Sequence, residues 1–299
     1  MKIGVVLPLV GDEETGQVTR YADTRAFALQ AEEAGFDSVW IFDHMLYRFP
    51  EKPTQGPWEA WTVLSALAEA TTRVELGTLV VCTPLRNPAV LAKMAVTLDE
   101  VSDGRLILGL GTGWHRPEFD AFGIPFDHRV DRFEEALRII VPLLREGKVS
   151  FQGKHYSAVD CEILPSGPRP SGPPILIAAS GPRMLRLTAR YADSWNTAWY
   201  GQPDALGEAR AGLEAACSLE GRAPSTLEVT VGVNVDYSGG TAEGARRPPL
   251  SGVPEEIAAA LRGYAAAGVG QVICSLEPAS TGSLARLSEA LTEYHRAGS

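Results

Sequence analysis

The stretch Arg105–Phe126, RLILGLGTGWHRPEFDAFGIPF, decides the fold. It begins with the apolar run Leu106–Leu110, which is typical of a strand buried on both faces. Glycine weakens a strand, so a glycine at every second position predicts that something flat or bulky lies against this backbone, at Gly109, Gly111 and Gly113. The bulky and polar residues 114–118 then follow at the carboxyl end of the strand, where α/β proteins place their chemistry.

Two other interpretations apply to the same stretch. A tight corner between strand and helix, with no ligand, would also use glycines, and this stretch alone leaves that alternative open. A dinucleotide-binding fingerprint is excluded, because G-x-G-x-x-G needs a glycine at position 114, where the chain has tryptophan.

Length and charge limit the class of protein. The 299 residues suffice for an α/β barrel, which is routinely 250 residues or longer. A net charge of −10 argues against nucleic acid and anionic membranes as partners and leaves a small-molecule substrate. No apolar run is long enough to span a membrane, and the four cysteines are far apart without a C-x-x-C motif. We therefore expect a cytoplasmic protein without disulfides or structural zinc.

Outward from this stretch, the chain repeats an apolar strand followed by an amphipathic helix. The repeat is broken once, at Val149–Pro165, which is typical of an inserted hairpin with polar sides. Alternation of this kind implies right-handed crossovers and a parallel sheet. The predicted fold class is α/β, a (β/α)8 TIM barrel with a hairpin insertion after the fourth βα unit. We expect a single domain over residues 1–299, with the insertion at about residues 149–173.

The second predicted strand, Ser38–Asp43, is apolar until it ends in Asp43-His44. In a barrel this position lies at the catalytic end. An imidazole there can exchange a proton near neutral pH, so His44 suits general acid–base catalysis. The alternative is structural: Asp43 caps a backbone turn and His44 packs as a satisfied polar group.

A second candidate site is ASGPR, residues 179–183. Small residues followed by proline at the first helical position expose the N–H groups of the next helix, whose N-terminus carries partial positive charge. Arg183 would add a full charge, so a phosphate is the natural ligand. An ordinary corner with a solvent-facing arginine fits equally well. The five histidines show no metal-ligand spacing, and we predict no metal site.

Four segments together resemble the luciferase-like monooxygenase superfamily, and the resemblance is strongest to its coenzyme F420-dependent branch. They are AEEAGFDSVWIFDH (Ala31–His44), LGTLV (Leu76–Val80), RNPAVLAKMAVTLDEVSDGRLILGLGTGW (Arg86–Trp114) and GPRMLRLTARYADSWN (Gly181–Asn196). The resemblance implies a TIM barrel that binds the deazaflavin F420, or alternatively reduced FMN, at the barrel mouth. It also implies a homodimer.

The resemblance assigns roles to individual residues. His44 would be the catalytic imidazole beside the reactive carbon of the cofactor, and Asp43 would contact the deazaflavin headgroup. Leu79 and Val80 would form a bulge behind the ring, which in this family often contains a non-proline cis peptide. The remaining cofactor-binding residues would be Gly111, Thr112 and Gly113 along the ring, Ser180, Gly181 and Arg183 at the phosphate, and Trp195.

One departure from the family pattern concerns the substrate. The sugar-phosphate dehydrogenases of this branch have a catalytic glutamate at the position of Trp114, and their phosphate-binding lysine pattern is missing after Trp195. The predicted substrate pocket is apolar and contains Trp114, His115 and Trp199, with Tyr200 nearby. We therefore expect a small organic metabolite of limited charge and not a sugar phosphate. The loops Met45–Pro57, Phe119–Arg129 and Ser238–Val253 would set its identity.

Three functional hypotheses remain. The first is an F420-dependent oxidoreductase that transfers a hydride between the deazaflavin and the substrate. The second keeps the fold but is a monooxygenase that uses reduced FMN and O₂. The third is a flavin-binding barrel without turnover, which an intact Asp43-His44 pair disfavours.

Overall fold

The computed structural model describes residues 1–11, 19–239 and 247–296. The strands are β1 (Lys2–Val6), β2 (Ser38–Ile41), β3 (Glu75–Thr78), β4 (Val81–Cys82), β5 (Leu106–Gly111), β6 (Lys148–Gln152), β7 (Ser157–Glu162), β8 (Ile175–Ala178), β9 (Ser194–Tyr200), β10 (Glu228–Asp236) and β11 (Gln271–Glu277). The α-helices are α1 (Tyr21–Glu33), α2 (Ala60–Ala70), α3 (Pro88–Val101), α4 (Arg116–Ala121), α5 (Arg129–Glu146), α6 (Pro182–Tyr191), α7 (Gly207–Leu219), α8 (Pro254–Ala266) and α9 (Thr281–Arg296).

The main sheet is parallel and closed. Its strand order is β3-β2-β1-β11-β10-β9-β8-β5-β4, and β3 also pairs with β5. Because β3 and β4 are two segments of one strand position, the sheet has eight positions with helices between them. This arrangement confirms the predicted (β/α)8 class. The apolar run that decides the fold forms β5, in which all six residues are buried.

Two compact units share this sheet. The first comprises Met1–Pro8, Ala22–Trp40 and Ala179–Ser299, apart from the residues outside the described ranges. In it β10 pairs with β9 and β11, and β1 pairs with β11 and β2. The second comprises Leu9–Tyr21 and Ile41–Ala178, and in it β5 pairs with β3, β4 and β8. The single-domain organisation stays a prediction.

The insertion has the predicted form, with β6 and β7 paired as an antiparallel hairpin after α5. The segment Phe119–Arg129 differs from its prediction as a loop, because it begins inside α4 and ends at the first residue of α5. Residues 240–246 of the predicted loop Ser238–Val253 lie outside the described residues. Among the described helices, none combines the length and the apolar character needed to cross a membrane.

Candidate active site

His44 and Glu118 form a hydrogen-bonded pair in the second unit. Glu118 is completely buried in the first turn of α4, and its Oε1 lies 3.0 Å from His44 Nδ1. Its Oε2 accepts a hydrogen bond of 2.9 Å from the backbone N–H of Met45. A carboxylate in its ionised form only accepts, so this hydrogen bond would place the proton on Nδ1 of His44 and leave Nε2 as the proton-exchanging atom. The His44 side chain is 13% exposed, which keeps it accessible to a small molecule.

Asp43 belongs to a second network, beside this pair. Arg86 binds its carboxylate with two nitrogens, at 2.6 and 3.0 Å, and the backbone N–H of Cys82 donates to Oδ2 at 2.9 Å. Arg86 also binds Glu59 at 2.6 Å. Burial lowers the pKa of Arg86, but the hydrogen bonds and charge of Asp43 and Glu59 outweigh it and raise that pKa. These contacts give Asp43 a structural role, and its contact with a cofactor headgroup stays a prediction.

The spaced glycines in and after β5 are required by the protein itself. A Cβ on Gly109 would collide with the backbone oxygen of Thr78, and one on Gly111 would collide with the Val80 side chain. Gly113, just after β5, has a φ of 72°, and a Cβ there would meet Cys82 and Phe119. The neighbouring chain therefore lies against this backbone, and the contact of a cofactor with these glycines stays a prediction.

Leu79 and Val80 lie between β3 and β4, where the resemblance implies a bulge. The peptide bond between Leu79 and Val80 is cis. The N–H of Leu79 donates to the oxygen of Ile41 in β2, and the Leu79 side chain is buried while Val80 is half-buried. Thr112 and Gly113, which follow β5, are also half-buried. Their contacts with a cofactor ring stay predictions.

Four rings next to His44 form what we call the aromatic cluster: Tyr47, Phe49, Trp114 and His115. The ring centroids of Tyr47 and Trp114 lie 4.6 and 5.5 Å from that of His44. Trp114 and Phe49 are 58% and 41% exposed, whereas His115 is 3% exposed. His115 contacts both exposed rings, with centroids at 5.0 Å from Trp114 and 5.1 Å from Phe49. We therefore treat His115 as a support of the cluster, and its contact with a substrate stays a prediction.

His115 makes the stability of the fold depend on pH. Its Nε2 accepts a 2.9 Å hydrogen bond from the backbone N–H of Arg48, which requires a neutral ring, and burial lowers its pKa below the ordinary 6.5. Below about pH 6.5 the unfolded chain binds a proton that the folded chain does not, so the free energy of unfolding falls on acidification, by at most about 1.4 kcal/mol per pH unit. Urea unfolding at pH 7 and at pH 5 measures this difference in the free energy of unfolding. We expect the free energy of unfolding of His115→Gln to fall less between the two pH values than that of the unmodified protein.

The control for this prediction is His128→Gln, because His128 is 58% exposed and bonds only the exposed Asp131 within the described residues. It should keep the pH dependence of the unmodified protein. An unchanged pH dependence in His115→Gln would contradict the assignment of the neutral ring.

The predicted phosphate site lies in the first unit, at the start of α6. Gly181 is the residue before the helix, Pro182 is its first residue, and no side chain caps this N-terminus. Ser180, Gly181 and Arg183 are exposed, and a Cβ placed on Gly181 would meet nothing within 4 Å. The terminus therefore has space for an anion, in agreement with the helix-dipole argument.

The two predicted tryptophans of β9 differ in exposure. Trp195 is 1% exposed, and its Nε1 donates to the backbone oxygen of Ala179 at 2.9 Å. Its N–H is thus used within the protein, and a cofactor contact stays a prediction. Trp199 is half-buried with its ring near Gly232 in β10, and Tyr200 is almost completely buried.

Sequence reasoning did not assign roles to four residues at this site: Tyr47, Phe49, Arg86 and Glu118. Glu118 had one local signal, because an acidic residue just after a proline is typical of the first turn of a helix. Its partner is 74 positions away in sequence, and nothing local indicates that pairing. Within the described residues, no group of three His, Cys, Asp or Glu side chains could hold a metal ion.

Comparison with known proteins supplies three findings. The luciferase-like monooxygenase family matches residues 1–248. The F420-dependent glucose-6-phosphate dehydrogenase of Kineococcus radiotolerans is 37% identical over 223 residues, 70% of this chain and 64% of that protein. The F420-dependent hydroxymycolic acid dehydrogenase of Mycobacterium tuberculosis is 35% identical over 209 residues, 68% of this chain and 55% of that protein. The chain thus spans less than two thirds of either relative.

Among solved structures, an F420-dependent secondary alcohol dehydrogenase in complex with an F420-acetone adduct superposes with a TM-score of 0.82. It covers 98% of this chain and 98% of that one at 20% sequence identity. At this identity the likeness establishes the fold alone, and it agrees with the closed parallel sheet described above.

Proposed function

Because the chain belongs to the luciferase-like monooxygenase family, we propose that it is an F420-dependent oxidoreductase. The reaction would transfer a hydride between the deazaflavin and a small organic metabolite. The observation that carries this proposal is the His44–Glu118 pair, a buried carboxylate 3.0 Å from an accessible imidazole just after a barrel strand. The relatives named as F420-dependent dehydrogenases support the choice of cofactor.

Each unit, taken by itself, has residues that fit a part of such a cofactor. In the first unit, the start of α6 has open space over Gly181 and would hold a phosphate group through backbone N–H groups. In the second unit, the half-buried Val80, Thr112 and Gly113 would lie along a flat ring. When bound, the deazaflavin supplies the hydride-carrying carbon, and the protein contributes binding, orientation and electrostatics.

In this proposal His44 moves a proton at Nε2. Glu118 accepts the hydrogen bond from Nδ1, fixes the ring orientation and stabilises the imidazolium that forms when Nε2 takes up a proton. For reduction of a carbonyl, the protonated ring would donate to the oxygen; for oxidation of an alcohol, the neutral ring would accept its proton. The cluster beside His44 limits the access of water to this exchange.

We also propose that the substrate is not a sugar phosphate. The relatives include proteins named as glucose-6-phosphate dehydrogenases, so this finer statement rests on this chain's own residues. Trp114, a large apolar ring, stands 5.5 Å from His44. The buried Glu118 carboxylate lies 3.0 Å from that histidine, and it would repel an anionic group bound beside His44.

The test is a titration of the purified protein with F420 and, separately, with FMN, followed by turnover assays. Binding of F420 and F420-dependent turnover of an alcohol or ketone would support the proposal, as would no turnover of glucose 6-phosphate. Turnover that requires reduced FMN and O₂ would replace it with the monooxygenase hypothesis. Tight cofactor binding without hydride transfer to any acceptor would instead favour a flavin-binding barrel.

The same proposal includes a cytoplasmic homodimer. Light scattering on the purified protein tests the assembly, and a mass of one chain would contradict the dimer. Fractionation of cells that express the chain tests its location.

A further inference from the structure

We infer that the aromatic cluster selects a substrate with a planar, conjugated and uncharged ring beside its reacting carbonyl or carbinol carbon. This inference rests on the proposed function, because it concerns the substrate of the same site. The inferred substrate class is an aromatic or similarly conjugated ketone or alcohol. Aliphatic metabolites and sugar phosphates are the alternatives against which it is tested.

The first argument is the exposure of flat apolar faces. Trp114 and Phe49 are 58% and 41% exposed, although large aromatic rings are usually buried to a greater extent. The ring of Trp114 contacts His44 directly, with the two centroids 5.5 Å apart. The ring of Phe49 is connected to His44 through Tyr47, and the centroids of Phe49 and Tyr47 are 6.2 Å apart. Exposed apolar surface concentrated beside a catalytic candidate indicates a binding surface.

The second argument is the orientation of the rings. The planes of Phe49 and Trp114 differ by 24°, and those of Tyr47 and Phe49 by 12°. The exposed rings therefore present nearly parallel faces, an arrangement that suits the offset stacking of another flat ring. Contact of this kind rewards a planar conjugated group over a puckered saturated one of equal size.

The third argument is that the surface is built on a fixed base. His115 is buried, contacts both exposed rings and accepts a hydrogen bond from the backbone N–H of Arg48. The adjoining His44 is held by the buried Glu118. A supported surface loses little conformational entropy when a ligand binds, so its contacts contribute to affinity.

The fourth argument concerns charge. Burial, followed by the charge of Glu118, raises the pKa of Tyr47 and keeps its hydroxyl neutral. Arg86 directs its guanidinium at Asp43 and Glu59, so its charge is compensated within the protein. The buried carboxylate of Glu118, 3.0 Å from His44, disfavours an anionic group next to the reacting carbon.

The experiment compares two ketones of similar size, acetophenone and cyclohexyl methyl ketone, with reduced F420 as the reductant. In either case the carbonyl carbon gains a hydride and the oxygen a proton, giving the alcohol and oxidised F420. A stacking contact of ordinary strength corresponds to about a two- to twelvefold difference in affinity. We expect kcat/KM to favour acetophenone by such a factor in the unmodified protein.

Substitutions then assign the preference to the cluster. Trp114→Leu should bring the ratio of the two kcat/KM values close to one, and Trp114→Phe, which keeps a ring, should retain most of it. The matched control is Phe122→Leu, because Phe122 is an equally exposed ring at 54% that belongs to no ring pair within the described residues. Phe49→Leu gives a second reading should Trp114→Leu fold poorly. Equal kcat/KM values for the two ketones in the unmodified protein would overturn the inference. An unchanged ratio of these values in both Trp114→Leu and Phe49→Leu would overturn it as well.

A binding measurement separates this inference from the proposed function. Saturation-transfer NMR with each ketone and the cofactor-free protein reports contact with the rings without any turnover. Trp114-dependent binding of acetophenone without F420-dependent reduction would support the planar-ring inference and contradict the oxidoreductase. Reduction of both ketones without selectivity would support the oxidoreductase and overturn the inference.

Discussion

His44→Ala is expected to lower kcat by about 10²–10⁴-fold, the range usual for loss of a positioned general acid or base. The physical reason is the pairing with Glu118: the carboxylate 3.0 Å from Nδ1 stabilises the protonated ring, and alanine offers no atom that exchanges a proton. Steady-state kinetics with F420 and a ketone or alcohol substrate measure the effect. Because the change leaves the rest of the proposed cofactor site in place, the affinity for F420 should change little.

The matched control is His128→Ala, since His128 is a 58% exposed histidine whose partner, Asp131, is also on the surface. This variant should retain the full kcat. If His44→Ala retained full kcat as well, the acid–base role would be wrong. If His44→Ala lost F420 binding and activity to the same extent, the histidine would act in cofactor binding and not in proton exchange.

The sequence predicted the position of His44 because the information was local. An apolar run that ends in a carboxylate and an imidazole indicates a buried strand followed by polar groups. The strand β2 is buried as predicted, but it ends at Ile41, two residues before the predicted end at Asp43. The helices were predictable for a similar reason, and α6 begins at Pro182, the predicted first helical position. Periodicity and an N-terminal proline are properties of a short window, so one sequence suffices.

The partners of these residues were not predictable, because they depend on which loops the barrel brings together. Glu118 is 74 positions from His44, and Arg86 is 43 positions from Asp43. Side-chain exposure is a second quantity that a single sequence does not contain. His115 and Trp114 are adjacent in sequence, yet one is 3% and the other 58% exposed.

The spacing of the glycines in and after β5 predicted that something flat or bulky lies against the backbone, and it left open what that group is. The backbone is indeed approached closely, as the spacing indicates. The approaching groups are Thr78 and Val80 of the neighbouring strand position. A sequence pattern reports that space is short, but not whether a ligand or the protein fills it.

Arg86→Met is expected to destabilise the folded protein by about 3–5 kcal/mol, because it leaves the carboxylate of Asp43 buried without its partner. Asp43 has a 1% exposed side chain, and the two nitrogens of Arg86 lie 2.6 and 3.0 Å from its oxygens. Methionine retains much of the volume, so the loss is electrostatic and not a cavity. Urea unfolding near neutral pH measures the difference in the free energy of unfolding.

Two further variants test whether Arg86 stabilises the protein by compensating a buried charge or by packing. Adding Asp43→Asn to Arg86→Met removes the uncompensated charge, so the double variant should be more stable than Arg86→Met alone. Arg116→Met is the control, since Arg116 pairs with Asp120 on the surface, where both side chains are about 60% exposed, and its loss should cost less than about 1 kcal/mol. Equal destabilisation by Arg86→Met and by the double variant would show that Arg86 acts through packing. The ion pair with Arg86 could then not be what holds Asp43 in place.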